Sequence, residues 1–387
     1  MDFEFTEAQK MLRATIREFV EKELPKDFVR KWDSDPNMTW LPEEIHQKAV
    51  ALGFTAMHVP VEYGGMGGDL IDDVILSEEV SRRSAAASFG LHSGMFVRLI
   101  HTYGNVKQKN EYLPKLAKGQ TGFCIGLTEP GGGTDLLGAL KTTAVPDGDD
   151  FIVNGQKTYI TGAHISPYAC ALVITDKDAP KKSKAMSLLF IDLKSPGVEI
   201  RPLHKISMHG AGSCEVYFTD VKVPKANLLG ELNKGFSQLT TLLNPERILC
   251  AADTVGIAQG AYEEALEYAK TRTAFGKPIG QFQVLQHWLA DMWIEIELSR
   301  LITYKAAWQF SNNEPCWMAA AAAKTFAADT AVKVTTNAME IFAGSGLMVE
   351  TDIQRYFRDA RQFVFAPISN EMARNFIGEL IGLPRSF

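Results

Sequence analysis

Phe151-Ile152-Val153-Asn154-Gly155-Gln156-Lys157-Thr158-Tyr159-Ile160-Thr161 reads as two strands around a turn. The flanks 151–153 and 157–161 are rich in aromatic and β-branched residues, and Asn-Gly between them is the strongest short hairpin signal. Moving outward, 171–175, 187–192 and 215–223 are further strand candidates, separated by breakers such as Pro196-Gly197. This spacing predicts a compact antiparallel barrel or sandwich over 121–230.

Both flanks of that zone read as helix. Thr6 opens a capping box with Gln9, and Leu12, Ile16, Phe19 and Val20 then recur at helical spacing. Leu41-Pro42-Glu43-Glu44 predicts a helix with proline in its first turn. Residues 61–68, with four glycines in the last five positions, predict a loop. Beyond 230, the segments 247–271, 284–311 and 316–342 are each far longer than an average helix. Their short connections predict an antiparallel four-helix bundle. Trp288 and Trp293 are expected in its core, and the alanines of 319–323 at a close helix contact. The expected class is therefore α+β with three domains. An all-α domain spans 1–120, a central antiparallel β-barrel 121–230, and a C-terminal four-helix bundle 231–387.

The chain has 387 residues, 46% apolar and 22% charged, as soluble globular domains do. A net charge of −6 argues against nucleic-acid binding, which needs a basic field. Five scattered cysteines suggest reduced thiols. No apolar run reaches the ~18 residues that suggest a membrane span. The histidines show no metal-ligand spacing, so no metal is expected. Met1-Asp2-Phe3-Glu4 lacks a signal-peptide pattern, which suggests a cytoplasmic protein, or a mitochondrial-matrix one if a targeting sequence was removed.

Leu127-Thr128-Glu129-Pro130-Gly131-Gly132-Gly133-Thr134-Asp135 could bring backbone N–H groups close to a ligand, and by itself it reads equally well as a surface turn. Its companions decide. The stretch resembles the Thr-Glu-Pro-Gly-x-Gly-Ser-Asp signature of the acyl-CoA dehydrogenase family. Residues 155–161 resemble that family's Gly-x-Lys-x-Trp-Ile-Thr strand, with Tyr159 in place of Trp. Arg272-Thr273-Ala274-Phe275-Gly276-Lys277-Pro278-Ile279 with Gln283 resembles its Arg-x-x-Phe-Gly-x-x-Ile and following Gln. Glu340-Ile341-Phe342-Ala343-Gly344-Ser345-Gly346 resembles its Gln-x-Phe-Gly-Gly-x-Gly, with Glu340 in place of Gln. The resemblance covers essentially the whole chain, in order.

It implies a helix–barrel–bundle fold, bound FAD, an acyl-CoA substrate, a homotetramer or homodimer, and an electron-transfer flavoprotein as acceptor. By position, Leu127, Thr128, Tyr159 and Thr161 would surround the flavin, with Gly133 and Thr134 by the phosphates or the CoA arm. Arg272, Phe275 and Gln283 would grip the FAD of a neighbouring subunit, and Gly344 and Gly346 its adenosine–pyrophosphate part. Ser369 and Glu371 would also stand near FAD. Glu129 and Asp135 are expected to hold their own loop.

The implied reaction removes an α-proton to a base and a β-hydride to flavin. In the family the base is a Glu that precedes Gly-Thr and Ser-Glu-Ile-x-Arg, and its own N–H helps polarise the thioester carbonyl. Aligned on Glu371 and Arg374, that position is Pro367, which has neither group. A replacement stands in Leu242-Leu243-Asn244-Pro245-Glu246-Arg247. Glu246 occupies the position of the base in long-chain and isovaleryl members, which lack the C-terminal Glu. It also reads as a first-turn helix stabiliser or as a partner of Arg247. Asn244, Arg247, Ala366 and Pro367 are the expected substrate contacts, with Ser93 and Met95 nearby. His92 reads as structural.

The resulting expectation is FAD-dependent oxidation of a saturated acyl-CoA to the 2,3-enoyl-CoA with Glu246 as base. The alternatives are an enoyl-CoA reductase on the same scaffold and a catalytically retired CoA-thioester-binding protein.

Overall fold

The computed structural model describes residues 4–91 and 94–385. The N-terminal domain contains α1 (Glu7–Glu23), α2 (Lys26–Ser34), α3 (Glu43–Ala51), α4 (Leu70–Ser81), α5 (Ala85–Leu91), α6 (Gly94–Tyr103) and α7 (Val106–Ala117). The middle domain contains β1 (Phe123–Gly126), α8 (Leu136–Ala139), β2 (Thr143–Asp147), β3 (Asp150–Thr161), β4 (Tyr168–Ile174), β5 (Met186–Asp192), β6 (Val198–Leu203), β7 (Ser213–Pro224) and β8 (Leu228–Leu229). The C-terminal domain contains α9 (Gly235–Thr240), α10 (Leu243–Thr271), a small hairpin of β9 (Thr273–Ala274) and β10 (Lys277–Pro278), α11 (Gln283–Ser311), α12 (Trp317–Phe342), α13 (Ile353–Gln362) and α14 (Asn370–Leu380).

Local chemistry explains the helix starts. The Gln9 N–H donates to Thr6 Oγ1 at 3.2 Å while Gln9 Oε1 accepts from the Thr6 N–H at 3.1 Å, closing the expected capping box. Pro42 caps α3 from just outside it rather than from its first turn. Ile16, Phe19 and Val20 are buried along α1. α4 is buried almost all round, which forces its polar residues to find partners. Glu78 accepts from Arg300 at 2.7 Å and Tyr304 at 2.9 Å, tying α4 to α11. α4 also lies against α10, where a Cβ on Gly256 would meet the Glu78 carbonyl oxygen at 2.4 Å, so only glycine allows this approach. Ala320, Ala321 and Ala323 are fully buried, as a close helix contact requires. The C-terminal domain is built on the three long helices, with α13 and α14 packed on α12.

The sheet runs β6-β7-β3-β2-β4-β5-β8, with β1 added in parallel to β4. It does not close into a barrel. Closure needs the two edge strands to pair; β6 pairs along β7 alone, while β8 is two residues long and pairs only with β5. β4 and β5 are buried on both faces. Ala171, Val173, Leu189 and Ile191 join the core shared with β3 and β7, while Leu172, Leu188 and Phe190 face Tyr112 and Leu113 of α7. Strands covered on both sides read as unbroken apolar runs, which is how these two appear in the sequence.

The turn at Asn154-Gly155 is absent. β3 passes through both residues, with a register shift against β7 between Val153 and Gly155. Gly155 has φ 149°, and a Cβ there would lie 2.4 Å from Thr142 Oγ1, so this glycine marks a bulge. Asn154 Nδ2 donates to Asp220 Oδ1 at 2.9 Å and Asn154 Oδ1 accepts the Asp220 N–H at 2.9 Å, stitching the bulge to β7. The hairpin itself turns at Gly148-Asp149, between the paired Asp147 and Asp150.

Trp288 packs against the main core, but Trp293 is 52% exposed, near Ile294, Leu298 and Leu301 on an uncovered side of α11. Helical periodicity alone does not say which apolar stripe is covered within a single chain. Among the described residues no helix is long and apolar enough to cross a membrane.

Candidate active site

The loop after β1 is held from beneath by a buried lysine. Lys157 Nζ, on β3, donates to Leu127 O at 3.3 Å, Leu172 O at 2.7 Å and Glu129 Oε1 at 2.8 Å. Glu129 also accepts the N–H groups of Lys141 at 2.7 Å and Thr142 at 3.0 Å. Burial pushes the Lys157 ammonium down to about 8, against the pull of Glu129. Burial also works against the Glu129 carboxylate, but Lys157 and Thr142 outweigh it and hold the group below the usual range. Asp135 accepts the Gly138 N–H at 2.8 Å and so caps α8. Both acids hold their own loop, as expected.

With the loop backbone fixed, its outward donors are left over. Among the described residues, the hydroxyls of Thr128 and Thr161 and the N–H groups of Gly133 and Thr134 have no partner within the chain. Tyr159 stands beside Thr161 with φ 60° and 71% of its surface exposed. A large aromatic in the left-handed region, facing outward, is strain of the kind that clusters at ligand sites. Neutral donors next to a flat ring suit a planar heterocycle with carbonyl and ring-nitrogen acceptors, so this set fits a flavin.

A second set lies at the far end of α10. Arg272 and Gly344 line one cavity of about 550 Å³, together with Tyr268, Phe342 and Ser345. Tyr268 and Phe342 stack at 4.1 Å along its wall. Arg272 has no ion pair among the described residues, so the cavity combines an uncommitted cation with an aromatic wall, which suits a phosphate-bearing nucleotide. Gly346 does not reach the cavity; it is buried, and a Cβ there would lie 2.8 Å from Met339 Sδ, so it shapes the turn instead. Phe275, with φ 53°, is 95% exposed, and Gln283 is exposed at the start of α11. None of Thr128, Tyr159 and Thr161 lines this cavity. Glu340 is exposed on α12.

The third set joins the start of α10 to the segment before α14. Glu246 is half-buried in the first turn of α10. Burial raises its carboxyl to about 7, and Arg247 opposes only part of that rise. Arg247 itself is buried, donates to Asn244 Oδ1 at 3.3 Å and lies 5.1 Å over the Phe376 ring of α14. Burial pulls its guanidinium below the ordinary range. Ala366-Pro367 is a cis peptide; Ala366 is half-buried and Pro367 exposed. Ser369 caps α14 by accepting the Met372 N–H at 3.2 Å, and Glu371 is exposed in its first turn.

Two residues that sequence reasoning missed connect Glu246 with this segment. Lys324 of α12 donates to Val364 O at 3.2 Å, to Ile368 O and to Asn370 Oδ1 at 2.6 Å. Burial, helped by Arg247, pushes its ammonium down to about 8, while Cys250, Asp329 and Glu371 act the other way. Cys250, one turn after Glu246, feels both Glu246 and Lys324, and burial drives its thiol well up. The available signal for Lys324 was a lone cation inside an alanine-rich run, Ala319 to Ala328. Met95 packs against the core around α6 and α7, while His92 and Ser93 lie outside the described residues.

Residues 6–120, 124–221 and 233–382 match, in turn, the N-terminal, middle and C-terminal domains of acyl-CoA dehydrogenase. A probable acyl-CoA dehydrogenase of Bacillus subtilis is 37% identical, covering 97% of this chain and 98% of that one. A caffeyl-CoA reductase–Etf complex subunit of Acetobacterium woodii is 34% identical over 97% of this chain and 99% of its own. The butyryl-CoA dehydrogenase structure from Megasphaera elsdenii superposes with a TM-score of 0.93 at 32% identity, covering 98% and 100% of the two chains. A solved FAD complex of PigA gives a TM-score of 0.91 at 26% identity, covering 99% and 100%.

Proposed function

Because this chain belongs to the acyl-CoA dehydrogenase family, FAD-dependent oxidoreductases acting on CH–CH bonds, we propose that it oxidises a saturated acyl-CoA to the 2,3-enoyl-CoA with Glu246 as base. The observation that carries this reading is the position of Glu246. It is half-buried, is linked through Cys250 to Lys324, which holds the segment around Pro367, and has a carboxyl raised to about 7. A general base works best with a pKa near the operating pH.

Glu246 accepts the α-proton and holds it in a site closed by α10 and the 364–370 segment. Arg247 acts indirectly: it ties Asn244 and Phe376 together and so fixes the start of α10 against α14. Ala366 and Pro367 border the acyl chain. FAD would be held by Leu127, Thr128, Gly133, Thr134, Tyr159 and Thr161, by Ser369 and Glu371, and by Arg272, Phe275, Gln283 and Gly344 of a neighbouring subunit. Bound there, it supplies the hydride acceptor at the β-carbon. A homotetramer or homodimer is proposed with this division; Thr128, Tyr159 and Thr161 do not line the Arg272 cavity. An electron-transfer flavoprotein is the proposed acceptor, supported by the Etf-complex relative.

That same relative favours a second reading, reduction of an enoyl-CoA, in which a protonated Glu246 delivers its proton to the α-carbon. Anaerobic titration with a panel of acyl-CoAs tests the first reading. A good substrate should bleach the flavin of the native enzyme, while Glu246→Gln should retain its flavin and resist bleaching. Undiminished bleaching in that variant overturns the assignment of Glu246.

A further inference from the structure

As an α-proton leaves a thioester, charge moves onto the carbonyl oxygen, and catalysis depends on donors already aimed at it. Residue 367 cannot supply one, because proline has no N–H. The neighbouring amides are mostly committed. Val364 N–H donates to Arg361 O at 3.4 Å, while Phe365 and Ala366 N–H donate to Gln362 O at 3.3 and 3.1 Å. Asn370 N–H donates to Val364 O at 2.9 Å. Among the described residues, nothing in the chain accepts from the N–H groups of Ile368 and Ser369.

The carbonyls of the same segment are held from the α12 side. Lys324 Nζ donates to Val364 O, Ile368 O and Asn370 Oδ1. An ammonium has three protons, and these three acceptors take them all. Lys324 therefore has nothing left for a substrate and can act only through the segment it holds. Asn370 is in turn tied to α12, donating to Asp329 Oδ1 at 2.7 Å and Thr325 O at 3.4 Å. Lys324 and Asn370 are both fully buried, so the clamp belongs to the rigid bundle. The Ile368–Ser369 peptide is planar and trans, so holding Ile368 O on the Lys324 side turns the Ser369 N–H of the same unit to the opposite side. Successive uncommitted N–H groups form a natural seat for an oxygen that gains negative charge.

We propose that Lys324 is a positioning residue: by clamping the Val364 and Ile368 carbonyls, it presents the Ile368 and Ser369 amides to the thioester carbonyl of a substrate whose α-carbon lies at Glu246. The proposal rests on the assignment of Glu246 and adds the group that takes over from the amide missing at Pro367.

The test uses the FAD-loaded enzyme and a 3-thiaacyl-CoA labelled with ¹³C at the thioester carbon, which binds but cannot lose a β-hydride. In the native enzyme the bound carbonyl stretch should lie well below its value in water. Lys324→Met should retain flavin and bind the analogue, with the band returned toward the free value and turnover lowered by about 10²–10³-fold, the usual loss for one such donor. Ile368→Pro, which deletes one of the two amides without touching the buried clamp, should move the band the same way, and it carries the test if Lys324→Met does not fold. Glu246→Gln should leave the band polarised, because it removes the base and not the donors. A polarised band in a folded Lys324→Met, or in Ile368→Pro, overturns the proposal while leaving Glu246 as base. Bleaching by substrate in Glu246→Gln overturns the assignment of the base instead.

Discussion

Lys324 Nζ donates to Asn370 Oδ1 at 2.6 Å, so a buried cation on the longest apolar stretch of α12 is bonded to the first residue of α14. The middle domain uses the same device, with Lys157 bracing Leu127 and Glu129 beneath the glycine loop. In both places a desolvated ammonium holds backbone carbonyl oxygens of a loop. Each fixes a segment to which the family resemblance assigns ligand contacts.

The direction of catalysis should be legible in its pH dependence. An oxidising enzyme needs ionised Glu246, so kcat/KM for an acyl-CoA should rise with pH and level off above about 7. A reducing enzyme needs the protonated form, so kcat/KM for an enoyl-CoA should fall above about 7. Initial rates from pH 5.5 to 8.5, referenced to Glu246→Asp, distinguish the two limbs.

Glu246 should also cost stability at neutral pH. Its folded pKa of about 7 lies above the unfolded value of 4.5, so the folded state binds more protons between these limits. Stability associated with this group is present in full below the unfolded value and is lost as pH rises through about 7. Glu246→Gln should therefore gain on the native protein as pH increases, approaching about 3 kcal/mol above pH 8. Urea midpoints at pH 5 and pH 8 check the sign.

Lys157→Met leaves Glu129 buried without its cation and should cost roughly 3–5 kcal/mol. Adding Glu129→Gln should recover a substantial part, because the stranded charge is removed as well. Denaturant midpoints of the two single variants and the double variant measure the coupling, and flavin absorbance should fall in the same order.

Ala343 ends α12 with φ 51° and ψ −135°, a conformation that only glycine adopts freely. Ala343→Gly should raise stability by about 1 kcal/mol, read as a higher thermal midpoint. A lower midpoint would show that the methyl group contributes packing at the cavity edge.

The three domains and the long helices were legible in the sequence because they rest on periodicity and caps that act locally. Thr6 with Gln9 closed its box, and α10, α11 and α12 begin and end within a few residues of their apolar patterns. Asn154-Gly155 misled because a bulge and a hairpin use the same residues for the same reason, backbone freedom. The partner that distinguished them, Asp220, is 66 residues away. Closure of the sheet depends on which edge strands meet, a long-range property that strand spacing does not encode. Of the site, Glu246, the carboxylate proposed to take over from Pro367, stands out by position. The buried lysines were not, because a lysine in a sequence reads as a solvated charge until its neighbours are known to be carbonyls.

The central claim is that Glu246 moves the α-proton. Exchange of that proton with deuterium from the solvent, measured by mass spectrometry on a 3-thiaacyl-CoA bound to the FAD-loaded enzyme, tests it without any hydride transfer. The native enzyme should wash in deuterium at the α-carbon, and Glu246→Gln should slow this by about 10²–10⁴-fold while still binding the analogue. Exchange at the native rate in Glu246→Gln would contradict the account and place the base elsewhere.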